Sequence, residues 1–176
     1  MAVIRTWMRS VALAAVTVAG TAVPATSPAH AHSPARVQCQ GTESVAYRPG
    51  VTFAERDIKV TAKGRFGSCV DSAGEVTSGS YGEQFTISAG CNDLLDGFED
   101  RRIVKWSTGD ASVIQVTGTS TAVAGQVVTT ITGTVAQGRF RGRNALQTVI
   151  LPQAGVPQCL TTGFTGATGV TTLTIT

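Results

Sequence analysis

Histidine is almost missing from this chain: its two copies, His30 and His32, both lie near the N-terminus. Without one in the body of the chain, Ser-His-Asp and Cys-His mechanisms have no base. The commonest ligand of catalytic zinc, iron or copper is gone as well. No G-x-S-x-G, P-loop or dinucleotide fingerprint occurs. Acidic residues stop at Asp110, and past residue 31 there are one tryptophan, Trp106, and two tyrosines, Tyr47 and Tyr81. A carboxylate-only hydrolase needs two facing carboxyls in a cleft that is normally lined by aromatics, and few aromatics are on offer. Helix is scarce too. Residues 32–176 hold 22 threonines against six leucines, and no segment carries an i, i+3, i+4, i+7 stripe longer than two turns.

The first residues read as a leader. Arg5 and Arg9 precede an uncharged run, Val11 to Val23, and Ala29-His30-Ala31 presents small residues at the positions a signal peptidase reads. A run of about 13 residues is short of the ~20 that span a bilayer. The expectation is a signal peptide over residues 1–31, with a cut after Ala25 as the second choice, and a single domain over 32–176. Of the 14 basic residues, Arg5 and Arg9 leave with the leader, so the mature chain has 12 against 11 acidic ones. The whole-chain pI near 8.9 therefore overstates its basicity. Nucleic acid and anionic membrane are not supported as bulk electrostatic partners. There is no second apolar segment of membrane length.

What the chain does have is period-two patterning. In Asp57 to Phe66, apolar or small residues fall at Ile58, Val60, Ala62, Gly64 and Phe66, with polar ones between them. That alternation puts one face on a core and the other in water. A strand from Cys39 to about Tyr47, a turn at Arg48-Pro49-Gly50 and this strand would make a hairpin ending near Cys69. Further strands are expected at Glu75–Ser88, Arg101–Thr108, Ser112–Thr121, Gln126–Ala136, Leu146–Leu151 and Gly169–Thr176. The inward phase slips near Gly138, as at a β-bulge. Gly- or Pro-containing turns recur about every ten residues, and the run Thr162–Gly169 reads as more turn. The fold class is all-β: an antiparallel barrel of about eight to ten short strands, with a β-sandwich as the alternative.

Four cysteines in an exported chain argue for two disulfides. Sequence allows three pairings. The hairpin brings Cys39 and Cys69 to the same end of one ladder, which favours Cys39–Cys69 and leaves Cys91–Cys159. Two polar clusters are candidate sites. Arg139, Arg141 and Arg143 alternate, so an extended segment would display three guanidinium groups as an anion-recognition stripe; the alternative is an edge strand guarded by charge. Asn92, Asp93, Asp96, Glu99 and Asp100 could gather oxygens around Ca²⁺, yet match neither an EF-hand nor a calcium repeat. The plainer reading is a solvated loop whose acids balance Arg101 and Arg102. No metal and no cofactor is expected, and Trp106 and Phe140 are expected in the core.

Cys39 with Gly41, Tyr47-Arg48-Pro49-Gly50, Trp106-Ser107-Thr108-Gly109, and Gly133-Thr134-Val135 leading to Gly138-Arg139-Phe140-Arg141-Gly142 span most of the mature chain. In these features it resembles small secreted actinobacterial (Streptomyces-type) all-β proteins to which no activity is assigned. The resemblance implies export and an all-β fold. It carries no site residues. The functional expectation is a secreted, non-catalytic β domain binding a small ligand or a cell-surface polymer. A cell-envelope structural or interaction protein, or a carboxylate-dependent hydrolase, are the alternatives.

Overall fold

The computed structural model describes residues 37–176. The expected leader, residues 1–31, lies outside the described residues. The strands are β1 (Val37–Val51), β2 (Arg56–Asp71), β3 (Gly79–Ala89), β4 (Phe98–Trp106), β5 (Ala111–Val123), β6 (Gln126–Gly138), β7 (Asn144–Pro152) and β8 (Phe164–Ile175). One short helix, α1 (Val156–Leu160), precedes β8. Each strand runs antiparallel to the next, and β8 returns to pair with β1 from Val37↔Ile175 onward. The sheet closes into an eight-stranded barrel, so the sandwich alternative falls away.

Alternation builds the wall. Along β2, Ile58, Val60, Ala62, Gly64 and Phe66 are buried while Asp57, Lys59, Lys63 and Arg65 are exposed. Gly67 then has no partner: Gln40 pairs with Ser68 and Gly41 with Phe66, a bulge that shifts the phase before Cys69. A second bulge falls at Ala136, because Val113 pairs with Gln137 and Ile114 with Val135. That is the slip visible near Gly138 in the sequence.

Three local expectations are corrected. Arg48-Pro49-Gly50 is no turn, since β1 runs on to Val51 through a cis Arg48–Pro49 bond and the chain reverses at residues 52–55. Residues 75–78 are loop, held by Asp71, which accepts from the backbone of Ala73 and Val76. The Gly-rich run from residue 164 onward is strand, not turn. Gly169 there allows a close approach, for a Cβ would stand 1.9 Å from the Ile150 carbonyl oxygen on β7.

The barrel is filled unevenly. One end is packed by Val37, Cys39, Phe66, Trp106, Ile114 and Ile175, with Leu173 and Val135 beside them. Trp106 meets Phe140 edge to face at 5.6 Å, and its Nε1 donates to Ser112. At the other end the buried cluster is thin: Val51, Ile58, Val60 and Phe164. A disulfide sits near each end. Cys39–Cys69 joins β1 to β2, and Cys91–Cys159 ties the β3–β4 loop to α1.

Candidate functional site

The wall has one open seam. β3 and β4 are hydrogen-bonded at just two positions, Gly79↔Trp106 and Ser80↔Lys105, both at the packed end. Beyond them the strands diverge, and their inward side chains face a cavity of about 670 Å³. Val45, Tyr47, Val60, Ile131, Leu151 and Phe164 form its apolar wall. Phe85 and Phe98 stand on opposite banks of the seam, 43% and 37% exposed although both belong to inward-facing rows. Phe53 and Val156, also exposed, stand at the rim.

The floor of this cavity is polar. Continuing the β3–β4 register inward sets Glu83 opposite Arg102, and there a side-chain fork replaces the missing backbone ladder. Arg102 Nε donates to Glu83 Oε1 at 2.6 Å and Nη2 to Oε2 at 3.0 Å. Two parallel bonds in this geometry are the strong form of an arginine–carboxylate pair. Arg102 Nη1 donates to Gln147 Oε1 at 2.7 Å. With its oxygen so engaged, Gln147 turns its amide nitrogen to Tyr81 Oη at 2.7 Å and to Thr171 Oγ1 at 2.8 Å. Thr171 passes its own proton to the Thr148 carbonyl at 3.1 Å. Tyr81, already an acceptor, donates to Glu43 Oε2.

A glycine makes this last contact reachable. Glu43, Gly64 and Tyr81 stand side by side on β1, β2 and β3. A Cβ on Gly64 would lie 2.1 Å from the Tyr81 ring, so the phenol crosses β2 only because that position has no side chain. Aromatic rings laid over strand glycines are a recurrent device for pinning register.

Burial governs the charges. It pushes the Glu43 carboxyl above the ordinary 4.5, outweighing the hydrogen bond from Tyr81 and the nearby Arg102, and the charge of Glu83 adds to the rise. Tyr47 is pushed up to about 12, by burial first and then by Glu43. Burial would lower Arg102, but its bonds to Glu83 and the surrounding negative groups hold it above its ordinary value. Its guanidinium also stacks 4.2 Å over the Tyr81 ring.

Of the residues singled out from the sequence, Asn92, Asp93, Asp96, Glu99 and Asp100 line this cavity on its β3–β4 side, whereas the three arginines lie elsewhere. Arg139 to Gly142 form the β6–β7 turn, with Phe140 at φ 64°, so no extended segment displays the three arginines. Arg139, Arg141 and Arg143 border a shallow depression beside Asp71. Arg139 is already engaged there by Glu75, by Asp110 at 3.2 Å and by Asp71 at 3.5 Å. Of the proposed calcium ligands, Asp93 accepts from the Gly90 backbone at 2.7 Å and Asp100 from Arg101 at 2.6 Å. Arg102 does not balance that loop; it points into the barrel. No known family, curated protein or solved structure matches this chain, so its geometry alone carries the functional reading.

Proposed function

We propose that this is an exported, non-catalytic barrel that takes up one small, mainly apolar molecule through its open seam. The carrying observation is the cavity of about 670 Å³, walled largely by aliphatic and aromatic side chains over a polar floor, with Asn92, Asp93, Asp96, Glu99 and Asp100 on its β3–β4 side. Ligand pockets commonly have ~300–1,000 Å³ and this mixture of lining. Export is supported by the two disulfides, which persist in oxidising compartments, and among the described residues no helix is long and apolar enough to cross a membrane. A surface polymer is less well supported, because Arg139 of the arginine group is engaged by three carboxylates.

Titration with an environment-sensitive naphthalene dye tests the reading. One dye should bind per chain with a blue-shifted emission. Ala167, which lines the cavity, would as Ala167→Trp fill it and abolish binding while leaving the unfolding midpoint close to that of the parent. A dye signal unchanged by Ala167→Trp would mean that the dye binds elsewhere and would remove the support for a cavity ligand.

A further inference from the structure

The hydrogen bonds of the cavity floor run in one direction. Gln147 spends its oxygen on Arg102 and both amide protons on Tyr81 and Thr171. The Tyr81 proton therefore has one place to go, Glu43 Oε2. Glu43 itself is 6% exposed and lines the cavity. Among the described residues no donor or acceptor reaches its second oxygen, Oε1, and that atom is not sealed from the cavity space either. The chain of bonds thus ends on one carboxyl oxygen without a hydrogen-bond partner, on a residue that lines the cavity.

Charge narrows what can meet it. Glu83 holds Arg102 in a two-bond fork, so those two charges cancel at the floor. An anionic ligand would face the carboxylate of Glu83 with no free cation beside it. A cationic one at the floor would face Arg102. The other acids of the lining, Asp93, Asp96, Glu99 and Asp100, stand at the solvated β3–β4 side and not beside Tyr81, the partner of Glu43 Oε2. An uncharged ligand meets neither penalty, and a buried carboxyl that keeps its proton offers it a donor. We propose that the native ligand is an uncharged, mainly apolar molecule bearing a carbonyl or hydroxyl oxygen, held by a hydrogen bond from Glu43 Oε1. This rests on the cavity reading above and names the ligand class for it. Burial favours the protonated carboxyl in the direction the anchor needs.

Competition against the bound naphthalene dye separates the two claims. The competitors are methyl octyl ketone, decane, decylamine and decanoate, all of ten carbons, with the full mature chain. The ketone should displace the dye roughly tenfold better than decane, the worth of one hydrogen bond in a dry site. That advantage should fade as pH rises through the Glu43 titration. Glu43→Gln keeps an N–H donor, so it should retain the preference and lose the pH dependence. Glu43→Leu should bring the ketone down to the level of decane. If Glu43→Leu fails to fold, the pH profile of Glu43→Gln decides. Preference for the amine or the carboxylate overturns the uncharged class. A ketone advantage that survives in Glu43→Leu, or is absent in the parent while the dye still binds, overturns the Glu43 anchor alone. Absence of dye binding itself would sink the cavity reading instead.

Discussion

The two ends of the barrel use similar parts for opposite purposes. Each has a disulfide, an aromatic pair or bank, and an arginine held by carboxylates. At the packed end Trp106 closes on Phe140, and Arg139 gathers Asp71, Glu75 and Asp110 on the outside. At the hollow end Phe85 and Phe98 stand apart across the seam, and Arg102 meets Glu83 on the inside. The difference begins with two backbone pairs: where β3 and β4 are stitched, side chains interdigitate, and where they are not, a chamber remains. Under the proposed function, stability and room for a ligand fall on different stretches of the same eight strands, as expected when binding elements are drawn from the less stable parts of a fold.

The largest test of that contrast is a pair of aromatic truncations. Trp106 is 5% exposed and pairs with Gly79 at the stitched part of the seam. Trp106→Ala should cost about 3–5 kcal/mol, the usual range for emptying a packed aromatic site. Phe85 is 43% exposed and lines the cavity. Phe85→Ala should cost less than about 1 kcal/mol and instead weaken dye binding. Urea unfolding midpoints measure both. Equal losses would mean that the ends are not differently packed.

A smaller effect sharpens the contrast at the floor. Gly64→Ala sets a methyl group where the Tyr81 ring lies, and overpacking of this kind costs about 1–3 kcal/mol. The ring must swing away from Glu43, so the near-ultraviolet circular dichroism of Tyr81 should change along with the midpoint. Gly74, at φ 72° in an open turn with nothing within 4 Å, gives no such spectral change when replaced by Asn. An unaltered tyrosine signal in Gly64→Ala would show that Tyr81 does not cross that position.

Much of the wall was legible in the sequence, and the reasons are local. Asp57–Phe66 alternates without a break, so its faces could be read directly, and the hairpin with β1 follows from adjacency in the chain. The seam was not legible, because it depends on how far β3 and β4 diverge, and that is settled by the whole closed sheet. The floor lay between these cases. Arg102 shares parity with Val104 and Trp106, Glu83 with Tyr81 and Phe85, and Glu43 with Cys39 and Val45. A charge in phase with an apolar row was therefore present three times, but each was more easily read as a solvated residue. Gln147 is a harder case. Leu146 is 50% exposed and Gln147 3%, the reverse of what hydrophobicity alone selects. The inward face of β7 is chosen by the partners Tyr81, Arg102 and Thr171, which come from three other strands. A network satisfied by distant residues leaves no periodic trace.

The smallest predicted effect is a pH dependence that divides along the same line. Asp71 and Asp110 have carboxyls held below the ordinary 3.8. For Asp71, backbone hydrogen bonds and Arg139 outweigh burial; for Asp110, the Thr108 hydroxyl leads and Arg139 adds to it. A depressed folded value gives stability that is present above the ordinary value and lost as pH falls through the folded one. Glu43 at the hollow end is raised, with the opposite sign: its contribution is full below 4.5 and declines as pH climbs towards its folded value. Stability should therefore fall on both sides of a maximum, with the acid limb belonging to the packed end and the other limb to the floor of the cavity. Melting temperatures measured across pH should show Glu43→Gln flattening the limb above the maximum and leaving the acid limb alone. Asp71→Asn, which removes a carboxylate that caps two backbone amides and faces Arg139, should flatten the acid limb instead. If Glu43→Gln leaves the upper limb unchanged, Glu43 does not hold its proton in the folded barrel, and the two ends do not differ in the sense of their titrations.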